Sequence, residues 1–183
     1  MSILDSSGNN LPPEIGLEGH WLTKYGKPIT NTGLIPSRVG KTDRFPVSGS
    51  CIALDKTDDY VNVGNLNTSA STICVWVKPN SVTAVVNYLI QFTTRQSINF
   101  INAVVAPSGI TNTIIYVNGN SGSTLTTNWN HLVVTTPNPI NLTDVTIGRF
   151  EGNKYYGGQL FDLILYSDVK TLSFINELYN SYL

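Results

Sequence analysis

SCIALDKTDDYVNVGNLNTSASTICVWVKP, residues 50–79, packs three short apolar runs into one continuous stretch. Turn-forming Asp, Asn, Gly and Ser separate each run from the next. Val61 and Val63 alternate with Tyr60 and Asn62, and Ile73, Val75 and Val77 alternate with Cys74, Trp76 and Lys78. A period of two sends successive side chains to opposite faces of a sheet, so both runs are read as strands.

The same pattern extends in both directions. Downstream, 84–94 alternates Val86, Tyr88, Ile90 and Phe92 with Asn87, Leu89, Gln91 and Thr93. Segments 97–106 and 112–117 supply two more strands, the second closing on Asn118-Gly119, a tight-hairpin signal. Segment 129–136 reads as a strand ended by Pro137 and Pro139, and 144–150 and 158–166 complete the sheet material. The period then changes. Leu172, Ile175, Tyr179 and Tyr182 recur at three or four, which predicts one short C-terminal helix capped by Thr171 or Asp168. Upstream, 16–25 reads as a first strand anchored by Trp21, while 27–50, with Pro28, Gly33, Pro36, Gly40 and Pro46, should wrap over one end. Residues 1–16 carry little that can pack and read as an extended N-terminal arm, leaving 17–183 as one domain. About nine to eleven strands at spacings of roughly 8–12 residues predict an all-β fold, a two-sheet antiparallel jelly-roll sandwich.

Composition narrows the function. Only 13% of the 183 residues are charged and the formal net charge is −1. A phosphate-reading surface needs a basic excess, so nucleic acid is not an expected partner. An anionic membrane has no electrostatic attraction to offer either, and no stretch approaches the ~20 apolar residues of a membrane helix. The first eight residues lack the basic and apolar regions of a secretory signal, so the expectation is either a mature fragment or, favoured by the initiating Met, a route other than general secretion. Cys51 and Cys74 fall on separate predicted strands and read as two buried free thiols.

Five segments, in order, resemble the laminin-G-like jelly rolls of the concanavalin A-like lectin/glucanase superfamily. They are 51–64 (CIALDKTDDYVNVG), 72–79 (TICVWVKP), 129–135 (WNHLVVT), 147–149 (IGR) and 156–166 (YGGQLFDLILY). The resemblance spans roughly 17–180 and implies two antiparallel sheets packed face to face, with a helix near the C-terminus. It also departs from the pattern. The hairpin that should follow 129–135 is missing, and a similar piece, 115–119 (IYVNG), precedes it.

Within this frame Trp76 and Trp129 read as structural anchors, and Gly148 as a point of close approach. Asp162 interrupts the apolar run 160–165 on the face opposite Phe161, Leu163 and Leu165, and would need donors, Arg149 or a cation as partners. Some superfamily members hydrolyse glucans with a Glu-x-Asp-x-Glu strand. Glu14, Glu18, Glu151 and Glu177 form no such strand, and the close carboxylates Asp55, Asp58 and Asp59 sit in a turn. The reading is therefore no enzyme. His20 and His131 are read as hydrogen-bonded structural histidines. Members of the superfamily also hold calcium, for which Asp58, Asp59 and Asp162 would be the ligands. The expectation is nonetheless no cofactor, with the turn carboxylates bonded to their own backbone. For a glycan, Tyr155, Tyr156, Tyr60 and Asn62 are the candidates, because sugars need aromatic platforms beside hydroxyl or amide groups.

A lone jelly roll with a neutral, Asn- and Thr-rich surface resembles small bacteriophage virion proteins. That resemblance implies a non-catalytic virion surface module, a head decoration or a tail or fibre component. Residues 1–16 would dock on other virion proteins in a homo-oligomeric assembly, with weak adhesion to cell-surface glycans as a second capacity. The alternative is a carbohydrate-binding module of a secreted or cell-surface protein, placed outside the cell.

Overall fold

The alternation of residues 60–78 resolves into two stacked sheets. The computed structural model describes residues 51–83, 85–152 and 154–183, together with the backbone of four short strands before them. Those four are β1 (Leu17–Trp21), β2 (Thr23–Lys24), β3 (Lys27–Pro28) and β4 (Ile35–Pro36). The expected arm, 1–16, and residues 37–50 of the expected wrap lie outside the described residues.

The first half of the sandwich continues with β5 (Ile52–Asp55), β6 (Val61–Gly64), β7 (Ser69–Pro79), β8 (Asn87–Thr93), β9 (Gln96–Ile101) and β10 (Val104–Ser108). There follow β11 (Ile114–Val117), β12 (Asn120–Ser121), β13 (Asn130–Asn141), β14 (Val145–Ile147), β15 (Arg149–Phe150), β16 (Lys154–Tyr155), β17 (Gly157–Tyr166) and α1 (Leu172–Asn180). One sheet has seven strands in the order β1-β17-β7-β13-β11-β12, with β5 also on β17. The other has six, β10-β9-β8-β14-β6-β4. Every pairing is antiparallel. The all-β antiparallel sandwich with one short C-terminal helix is thus the architecture observed. Short edge pieces raise the strand number above the expected range.

Alternation assigns each side chain to a layer. Val61, Val63, Ile73, Val75 and Val77 enter the central core with Leu89, Ile90, Phe92, Leu132 and Ile147. Cys74 and Trp76 face the other way and join Val133, Phe161, Ile164 and Tyr166 beneath α1. A nine-residue helix is marginal alone in water. Here it buries Ile175 and Leu178, worth roughly 1.5–3 kcal/mol each, on that outer cluster. Thr171 caps it by accepting the Phe174 N–H at 3.3 Å. Asp168, the other expected cap, instead pairs with Lys170 Nζ at 2.9 Å. Leu172 was expected on the buried stripe but is 45% exposed. Leu178 takes its place.

Two strands depart from the sequence expectation. In β17, Phe161 pairs with Trp76 and Ile164 with Cys74, so β17 carries one extra residue there. Asp162 adopts φ +53° at this bulge, and the phase of alternation slips by one. Phe161 therefore joins the outer cluster, while Leu163 and Leu165 point into the central core. The expectation that all three share a face is corrected. Nor do Pro137 and Pro139 end their strand. The exposed 137–139 segment bulges out of β13, and pairing resumes at Ile140 opposite Ala70. Proline lacks the N–H a ladder needs, and an outward bulge removes that demand.

Asn118-Gly119 does make a hairpin, β11–β12, and β11 pairs with β13 at one side of the seven-stranded sheet. Cys51 and Cys74 are both buried and form no disulfide with each other. Burial, reinforced by the Asp162 carboxylate, pushes the Cys74 thiol well above its ordinary range, so it stays inert. No helix among the described residues is long and apolar enough to cross a membrane.

Candidate functional site

At one end of the sandwich β5 and β7 finish and β17 begins. Asp55 pairs with Gly157, Pro79 pairs with Gly158, and Asn80 donates its N–H to the Gly157 carbonyl at 3.0 Å. The turn after β5, the loop before β8 and the β15–β16 hairpin all meet there. They enclose an open cleft of about 430 Å³ lined by Lys56, Val85, Val86, Tyr88, Lys154 and Tyr155.

Each polar lining group has a structural support. Lys56 sits at φ +72°, a left-handed conformation unfavourable for a residue with a Cβ. Its stem lies over Gly157, where an added Cβ would come within 2.9 Å of Lys56 Cβ. Lys56 Nζ donates to Asn87 Oδ1 at 3.0 Å, and Asn87 Nδ2 donates to the Val85 carbonyl at 2.9 Å. Asn87 is only 3% exposed. The carbonyl fixes which way its amide points, so its oxygen faces the lysine. Across the cleft Tyr88 stacks on Phe150, with centroids 4.8 Å apart and planes 9° apart. Lys154 Nζ stands 5.6 Å from the Tyr88 centroid and 3.8 Å from Glu151 Oε2, an ion pair about half exposed to solvent. Tyr155 is half-buried and donates its hydroxyl to the Gly152 carbonyl at 3.1 Å.

Of the four expected glycan-contacting residues, Tyr155 alone lines this cleft. Its neighbour Tyr156 is a correction. Successive residues point to opposite sides, so Tyr156 turns inward, fully buried, with its ring edge-on to Phe100 at 6.3 Å and its hydroxyl donating to Gln159 O. Burial holds its hydroxyl well above the usual phenol range. Tyr60 has the Arg149 guanidinium 3.7 Å from its ring centre, which occupies one face of the platform. Asn62 is exposed on β6, opposite Thr146 and Ile35. Neither of these two lines the cleft.

The structural candidates fall where the residue types require. Trp76 is buried beneath α1 among His131 (5.0 Å), Tyr182 (5.6 Å) and Tyr179 (5.8 Å). Trp129 is half-buried against the same cluster. His131 is structural, but its Nδ1 has no hydrogen-bond partner among the described residues, contrary to the hydrogen-bonded expectation. Burial lowers its pKa to about 3. Gly148 has φ +82°, and a Cβ there would overlap Leu54 Cδ1. His20 lies outside the residues whose side chains are described.

The acidic candidates separate. Asp58 and Asp59 come together with Asp55, their oxygens within 4.8 Å of one another, whereas Asp162 lies elsewhere on β17. Turn hydrogen bonds hold two of the three. Asp55 Oδ1 accepts the Thr57 N–H at 2.8 Å, and Asp59 Oδ2 accepts the Asp55 N–H at 3.3 Å. None of the three lines the cleft. Asp162 is buried, and its charge acts on Cys74 and Tyr166.

Sequence reasoning missed Lys56, Tyr88, Lys154 and the supporting Asn87. The adjacency of Lys154 to Tyr155 was a usable local signal. The Lys56–Asn87 bond, 31 residues apart in sequence, left none.

No protein-family model matches the chain, and no curated protein matches it in sequence. Solved structures do share its fold. Domain 4 of AbnA, an extracellular arabinanase from Geobacillus stearothermophilus solved in complex with arabinotriose, superposes with a TM-score of 0.59 at 14% identity. That match covers 89% of this chain and 98% of the domain. The binding domain of Paraclostridial Mosquitocidal Protein 1 gives 0.64 at 16% identity, over 91% of this chain and 52% of the other. The receptor-binding domain of botulinum neurotoxin D gives 0.58 at 12%, over 90% and 52%. The chain therefore spans nearly all of the first and about half of the other two. At these identities the likeness is one of fold: this chain is a jelly-roll β-sandwich like these domains.

Proposed function

We propose that the chain is a non-catalytic saccharide-binding module and that the cleft between Lys56, Tyr88, Lys154 and Tyr155 is its site. One observation carries this reading. The turn after β5, the start of β8 with the loop before it, and the β15–β16 hairpin place two tyrosine rings, two cations and apolar valine surface around a single open concavity. Sugars present apolar C–H faces and polar edges, so they are bound by aromatic surface with polar groups at its rim. Among the described residues no carboxylate lines the cleft, which supports binding over hydrolysis, since glycoside cleavage uses a carboxylate pair. The AbnA domain, solved with arabinotriose, adds support at the level of fold.

A printed glycan array tests the proposal. The wild-type chain should retain at least one saccharide class, and Tyr155→Ala should lose it. An array that stays blank would overturn the reading. Display on a virion, with residues 1–16 as a tether to neighbouring subunits, is a proposal about where the module works and is compatible with the same cleft. A gene set among capsid or tail genes would favour it; one among polysaccharide-degradation genes would favour the secreted or cell-surface alternative.

A further inference from the structure

We infer that the saccharide taken by this cleft is anionic, bearing a carboxylate or sulfate that Lys56 and Lys154 receive. This inference rests on the saccharide-binding reading above. It comes from the charge of the lining. Its charged side chains are Lys56 and Lys154, and among the described residues no carboxylate lines it. The Tyr88 and Tyr155 hydroxyls both donate and accept, as a neutral sugar's do, whereas the two ammonium groups only donate. The Asn87 amide is buried and bonded to Lys56 and to the Val85 carbonyl. Two cations facing one concavity match a ligand that carries negative charge.

Lys56 is exposed, yet it is anchored at both its stem and its tip. Its left-handed backbone, its stem against Gly157 and its bond to the buried Asn87 set the ammonium in one place. The group that accepts its hydrogen bond is a neutral amide rather than a carboxylate. One of its three N–H groups is used, leaving two for a ligand. Lys154 contributes more loosely. Glu151 stands 3.8 Å away in a solvent-exposed pair of the kind worth little, which a ligand anion can replace. The turn carboxylates Asp55, Asp58 and Asp59 do not line the cleft, and Asp55 and Asp59 accept backbone N–H bonds within the turn. The tyrosine rings would take the apolar face of the same sugar.

Titration calorimetry on the full chain tests this with neutral saccharides and anionic counterparts. Lactose is compared with 3′-sialyllactose and 3′-sulfolactose, and galactotriose with trigalacturonate, at low and at physiological ionic strength. The inference expects at least one anionic member to bind about tenfold or more tighter than its neutral parent, weakening as salt rises. Tight carboxylate with weak sulfate, or the reverse, identifies the anion. Lys56→Met keeps the stem and should bring the anionic member down to its parent; Lys154→Met should do so in part and serves alone if the first variant does not fold. Equal binding of neutral and anionic members, or a preference that survives both variants, overturns the inference while leaving a saccharide site standing. Failure of every member to bind, on a chain whose array is also blank, overturns both.

Discussion

Lys56 Nζ reaches Asn87 Oδ1 at 3.0 Å, joining the turn that ends β5 in one sheet to the first residue of β8 in the other. The bond ties the two sheets at the end where the cleft opens. Because it links a charged donor to a buried amide, it stabilises more than a neutral surface bond, although the lysine's exposure discounts it. Lys56→Met and Asn87→Ala should each destabilise the chain, and a double-mutant cycle read by urea unfolding should give a coupling of about 1 kcal/mol. Strict additivity would show that the bond does not form in solution.

The outer cluster makes stability depend on pH. His131 is stacked among Trp76, Tyr179 and Tyr182, and burial lowers its pKa to about 3. Between that value and the ordinary 6.5 the unfolded chain binds a proton that the folded chain does not. Stability is therefore complete above pH 6.5 and lost as pH falls toward 3, by on the order of 1 kcal/mol per pH unit. Comparing His131→Gln with wild type by chemical denaturation at a series of pH values isolates the histidine. The variant's curve should be flatter over this window, and parallel curves would contradict the assignment.

Gly148 combines φ +82° with a site where a Cβ would overlap Leu54 Cδ1. Its N–H and carbonyl also bond to Leu89 and Tyr156, so the segment cannot shift freely. Gly148→Ala should cost about 2–4 kcal/mol from strain and overpacking together. Thermal unfolding checks this, and an unchanged melting temperature would show that the segment can relax.

The Asp55, Asp58 and Asp59 turn is closed by its own backbone N–H groups. We predict that a chelator leaves the melting temperature unchanged and that added calcium does not raise it. A cation that bound only the folded state would stabilise it by mass action. A chelator-sensitive melting temperature would instead make the trio a calcium site.

The fold was legible where one face of a strand is buried and the alternation is unbroken. Residues 61–63 and 73–77 took the expected faces, and Asn118-Gly119 turned the expected hairpin. Legibility failed where a strand gains a residue. The bulge at Asp162 reverses the faces of Leu163 and Leu165, and nothing in the local sequence marks it, since any residue in that run could have carried the slip. The prolines at 137 and 139 looked like a strand end because their missing N–H groups do forbid continuous pairing; the chain bulges past them and resumes. The cleft was half legible. Tyr155 stands in a turn whose composition marks it as surface, yet choosing it over Tyr156 needs the phase of the hairpin. Lys56 and Asn87 meet only through the stacking of two sheets.

The central claim is that saccharide binds at this end of the sandwich. Backbone amide shifts of the ¹⁵N-labelled chain, titrated with a saccharide retained on the array, test it most directly. The account predicts perturbations concentrated at Lys56, 85–88 and 154–155. Shifts gathered instead around Tyr60 and Asn62, or over the β11–β12 hairpin, would contradict it.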